Sequence, residues 1–132
     1  MEHLIELLRK RRVLLFKAYL IHVGWFTSTC AFAATDTMQV GLTTSLWLTL
    51  ITVPPVMIYT ASVHKVCRAI DPKARTVGWV LIILFTIFLT PFESGLLLPA
   101  KNLIISGRIL RTWAKVRSGD SKQARRSTKT TE

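Results

Sequence analysis

Two residues of this chain sit where their chemistry is costly. Glu93 interrupts an otherwise apolar stretch within Pro91-Phe92-Glu93-Ser94-Gly95, and His22 lies nine residues into the first long apolar run. A carboxylate in hydrocarbon costs roughly 3 kcal/mol, so such a residue is a functional-site hypothesis by default. Glu93, with Ser94 beside it, could hold a proton or a cation, or pair with a basic residue of a partner. The plain alternative is that Glu93 sits near an interface or organises a turn with Ser94 and Gly95. His22 could ligate a haem iron or relay protons. The ordinary fate of a lone buried histidine is a hydrogen bond, here facing a threonine. Haem by way of His22 is the one cofactor worth weighing, and otherwise none is expected.

His64 stands at the end of the second apolar run, too far along the membrane normal to share an iron with His22, and reads as a solvated loop histidine. Lys17, about one turn inside the first run, can extend its ammonium to the headgroups. Cys30 and Cys67 are placed on opposite faces, so no disulfide is expected between them. The chain contains no CxxC, HExxH, P-loop, GxGxxG or GxSxG pattern, so metal, phosphate and nucleophile chemistry lack their local signatures. Catalysis is not expected.

The strongest pattern lies later in the chain. Projected at about 100° per residue, Lys101, Arg108, Arg111 and Lys115 share one narrow stripe, while Leu103, Ile105, Ile109, Leu110, Trp113 and Val116 fill the remaining arc. A basic stripe beside an apolar face fits a helix lying in a membrane interface, with tryptophan at headgroup level. Its partner is either anionic lipid or an acidic soluble protein.

The elements that position these residues follow from composition. Half of the 132 residues are apolar, the mean hydropathy is +0.38 and the formal charge is +11. The cations cluster in segments flanking long apolar runs, which argues for a membrane rather than nucleic acid. Residues 1–12 read as a short amphipathic helix ending in Arg9, Lys10, Arg11 and Arg12. Residues 13–34 are long enough to cross the roughly 30 Å hydrocarbon core. Ala31-Phe32-Ala33 before Ala34 imitates a leader cleavage site, but Lys17 and His22 break the apolar region a leader requires, so a retained span is expected. Residues 40–63 form a second span, bent at Pro54-Pro55, with Thr52 placed to satisfy the freed carbonyls. Asp71-Pro72 marks a turn. A third apolar segment, 77–98, is either a kinked span or a re-entrant helical hairpin. Pro99 fits the first turn of an interfacial helix over 99–117, and 118–132 reads as a disordered basic tail.

Charge separates the two alternatives for the third segment. Of 18 Lys and Arg, four precede the first span, four lie in the middle loop and nine follow Leu98. Only the hairpin places all of these on the cytoplasmic face. The expectation is therefore an all-α, multi-pass integral membrane protein of the bacterial inner (plasma) membrane, a single membrane domain with its amino terminus in the cytoplasm. The function expected is a non-catalytic accessory subunit or scaffold that packs with partner membrane proteins or with itself. A holin-like or channel-like oligomer, a small proton-coupled transporter and a redox membrane anchor are the alternatives.

Overall fold

The computed structural model describes the backbone of residues 1–33, 38–89 and 91–129, and the side-chain surroundings of these except at 32–33, 38–42, 44–45, 91–93 and 124–129. Among the described residues there are four helices and no strand: α1 (Glu2–Ala33), α2 (Met38–Ile70), α3 (Trp79–Phe88) and α4 (Pro91–Lys129). Two of them, α1 over Glu2–Ala31 and α2 over Leu46–Ile70, are long and apolar enough to cross a membrane.

The amino-terminal segment is not the separate interfacial helix that its charge suggests. Ile5, Leu8, Leu15 and His22 are all buried, and their spacings of three and seven keep one face of one helix inside from end to end. No glycine or proline interrupts it at the Arg12 to Val13 junction, so α1 is continuous. Helix α2 likewise runs through Pro54 and Pro55. Each proline withholds a donor from the carbonyl four residues back, on Leu50 or Ile51. Both prolines and both of these residues are exposed, so the gap in the ladder lies on the outer face. The Thr52 hydroxyl, expected to serve those carbonyls, meets His22 instead.

Helices α1 and α2 are antiparallel, since His22 pairs with Thr52 while Leu8 and Leu15 pack with Val63, Val66 and Cys67. Helix α4 also runs against α1. Gly95 abuts His22, Gly107 abuts Arg12, and Arg117 reaches Glu2. Leu103 and Ala74 complete the lower core.

The third apolar segment turns back on itself. Val77 is hydrogen-bonded to Asn102, and Ile82 and Leu98 share a second core with Met57 and Ala61. Helix α3 ends at Leu89 in extended backbone, and α4 begins at Pro91. Residues 77–89 and α4 are thus two segments folded back on each other. The first-turn proline of the last helix is Pro91, not Pro99, which lies buried inside α4. The helix expected over 99–117 is consequently the middle of a longer one packed upright against α1 and α2. Where a disordered tail is expected from residue 118, α4 continues to Lys129. Extending an existing helix costs far less than starting one, and Ser118 and Ser121 donate to carbonyls of the preceding turn.

Candidate functional site

A seam of buried polar groups joins the helices, and its members Asn102 and Thr76 are not in the pattern of costly residues read from the sequence. The uppermost group centres on His22, which is fully buried. Its Nδ1 shares a hydrogen bond of 3.1 Å with Thr52 Oγ1 of α2. On its other side is α4: a Cβ placed on Gly95 would stand 2.6 Å from His22 Nε2. Glycine at 95 is what lets the imidazole lie against the α4 backbone. Pro99 has no N–H to give the Gly95 carbonyl, so the α4 ladder is open on the same turn. Ser94 is buried beside Gly95. The fold therefore brings His22, Thr52 and Ser94 to one level. Glu93 is the third residue of α4, and its side chain lies outside the described residues.

The middle group is Asn102, also fully buried. Its Oδ1 accepts from the Val77 N–H at 2.7 Å, and its Nδ2 donates to the carbonyls of Thr60 and Val77, each at 2.9 Å. One amide thus ties α4 to α2 and to the entrance of α3. Val77 precedes α3 in non-helical backbone, where its N–H and carbonyl have no helical partner. Asn102 supplies both. A lone Asn on the face of the helix opposite the cationic stripe is the signal that could have found it.

The lowest group corrects the reading of His64 as a solvated loop residue. His64 belongs to α2, is half-buried, and its Nδ1 shares a 2.8 Å hydrogen bond with the buried Thr76. A Cβ on Gly78 would stand 2.6 Å from its Nε2. Both histidines therefore use one nitrogen on a threonine and lay the other against a glycine. Among the described residues, no group of three or more His, Cys, Asp and Glu could hold a metal ion.

The cationic stripe lies on one exposed side of α4. Lys101, Arg108, Arg111 and Lys115 are exposed, and the buried Asn102, Leu103 and Ser106 lie on the other side of α4. Arg108 and Lys101 line a groove together with Arg75 from the loop after α2, whereas Arg111 and Lys115 do not. Trp113 is half-buried between that groove and a second one against the start of α1. Arg12 works as a clamp: its Nε donates to the Leu103 carbonyl at 3.4 Å, and its guanidinium would lie 3.2 Å from a Cβ at Gly107. The Glu6 to Lys10 and Glu2 to Arg117 pairs are exposed and contribute little.

The surface is divided along the bundle axis. Phe16, Leu20, Ile21, Leu50, Ile51, Ile58, Val80, Ile83, Ile87, Phe88, Leu97 and Ile104 are all exposed. The register of α4 on α1 and of α2 on α1 places them on one side of the Arg12 level. The exposed cations Arg9, Lys10, Arg11, Arg68, Arg108, Arg111 and Lys115 lie on the other, with the exposed Met1 and Val116 among them, while Lys17 and Lys101 lie on the apolar side, within about two turns of Arg12. No protein-family model, curated protein or solved structure matches the chain.

Proposed function

We propose that this chain is a small non-catalytic membrane subunit, a scaffold held in lipid by α1, α2 and the α3–α4 hairpin and presenting a cationic end to the cytoplasm. The observation that carries this reading is the one-sided division of the surface into an apolar belt and a cationic end. A soluble protein would hide such a belt. Here only 11% of the apolar window in α1 and 33% of that in α2 is buried within the chain, which is the reverse of a core helix. Bilayer hydrocarbon is the natural cover for the rest, and the anionic inner leaflet of a bacterial plasma membrane suits the cations.

In this arrangement both chain ends face the cytoplasm and the hairpin re-enters from that side. The ten residues of α3 rise about 15 Å, half the hydrocarbon thickness. A turn at that depth is tolerable only against protein, and His22, Gly95 and Leu98 supply that support. The polar seam favours architecture over transport, because its side chains are spent on one another and on the backbone. The lipid-facing residues of α2 and α3 remain for a partner membrane protein or a second copy.

The test is purification in mild detergent from the cells that express the protein. Reproducible co-purification of a larger membrane protein at fixed stoichiometry supports the proposal. Recovery only as an isolated chain overturns it.

A further inference from the structure

Below the apolar belt, α4 and the loop after α2 enclose a groove of about 740 Å³ floored by Ile70, Ala74, Ile105, Ile109 and Val116. Arg75, Lys101 and Arg108 stand around it, and Asp71 is the one carboxylate among the lining residues. From Ile109 to Val116 its floor is apolar beyond the level of Arg12. Arg117 of α4 lies opposite Glu2 and Leu103 opposite Arg12, so Ile109 to Val116 lie level with the first turns of α1. That level carries the exposed Arg9, Lys10 and Arg11 and is aqueous or headgroup territory. An acyl chain would have to leave the bilayer to lie there.

Ile105, Ile109 and Val116 recur at helical spacing over twelve residues of α4, a ridge of about 16 Å and three turns. Helix anchors at i, i+3 or i+4, and i+7 span about 10.5 Å, which fits within that ridge. The surrounding cations select carboxylates and steer their approach. We propose that this groove docks an amphipathic acidic helix of a protein partner, with apolar anchors on Ile105, Ile109 and Val116 and flanking carboxylates toward Arg75, Lys101 and Arg108. The inference rests on the cationic end facing the cytoplasm, and it names the docking site that the scaffold reading leaves open.

The experiment is photocrosslinking in the cells that express the protein. Benzoylphenylalanine is placed at Thr112, exposed and lining the groove, and at Lys122, exposed on α4 outside it, as the control. The result expected is a protein adduct at position 112 whose attached peptide, read by mass spectrometry, is an acidic amphipathic helix. Lys101→Glu with Arg108→Glu should lower its yield about tenfold without changing the amount of chain in the membrane. Adducts to lipid alone, to a second copy, to a segment lacking that pattern, or none above the Lys122 control would each overturn the proposal. Retention after alkaline carbonate washing is measured on the same samples and reports separately on the membrane reading, so the two can fail independently.

Discussion

Replacing Asn102 with leucine should release the entrance of α3 while leaving the packed volume nearly unchanged. Asn102 makes three hydrogen bonds with no measurable exposure to solvent. Removing the amide strands the Val77 N–H and carbonyl, because Val77 is 1% exposed and has no helix of its own to join. The Thr60 carbonyl is less affected, since it sits within α2. Two stranded backbone groups at about 1 to 3 kcal/mol each give a loss of roughly 2 to 6 kcal/mol. Ser106→Ala is the matched control: it is equally buried on the same helix, yet its hydroxyl bonds only to Leu103 of its own turn. That change should cost no more than about 1 kcal/mol. Reversible unfolding in mixed micelles measures the totals, and hydrogen exchange at the Val77 amide locates the loss. Asn102→Leu should speed that exchange well before the α1 and α2 amides respond. An Asn102→Leu protein within about 0.5 kcal/mol of the parent, with the Val77 amide still protected, would refute the assignment of Asn102 as the tie at the hairpin's foot.

Three further outcomes follow from the geometry. Gly95→Ala and Gly78→Ala each push a Cβ to 2.6 Å from a histidine ring and should lower the unfolding free energy by about 1 to 3 kcal/mol. Gly24→Ala, with nothing within 4 Å of the new atom, should raise it by up to about 1 kcal/mol. In the Gly95→Ala and His22→Ala double-mutant cycle, the sum of the single losses should exceed the loss in the double variant, because the clash disappears with the ring. Glu93 lies in the first turn of α4, where a negative charge is favoured by the helix dipole. Glu93→Gln should therefore lose no more than about 1 kcal/mol of stability and keep partner binding. Loss of function in Glu93→Gln at unchanged stability would instead mark a proton or cation site. A carboxyl-terminal reporter active only in the cytoplasm should be active, and one active only outside should be silent. The reverse result would place α4 across the bilayer and remove the re-entrant arrangement.

The apolar runs were legible because transfer into hydrocarbon accumulates residue by residue and needs no knowledge of neighbours. Their joints were not. The division at Arg12 follows charge, whereas the helix follows the buried stripe of Ile5, Leu8, Leu15 and His22, which crosses that division unchanged. Both prolines that could start the last helix are present, and choosing Pro91 over Pro99 required knowing that Asn102 reaches back 25 positions to Val77. The one-sided placement of the cationic stripe was legible because it depends on helix period alone, although its helix stands against α1 rather than apart from it. Its groove was not, because Arg75 and Ile70 come from another part of the chain.

The same distinction bears on the costly residues. Between helices in lipid there is little hydrophobic drive to associate, so close approach at small residues and polar contacts hold them together. His22 against Gly95 with Thr52, and His64 against Gly78 with Thr76, are two copies of that device joining different helices. A histidine in an apolar run is then as much a joint as a site. The question that separates the two is whether both ring nitrogens are engaged within the fold, and for these histidines one meets a threonine while the other lies against a glycine. The residues that the docking proposal gives to a partner are instead on the surface, where Arg75, Lys101 and Arg108 stand around an apolar floor.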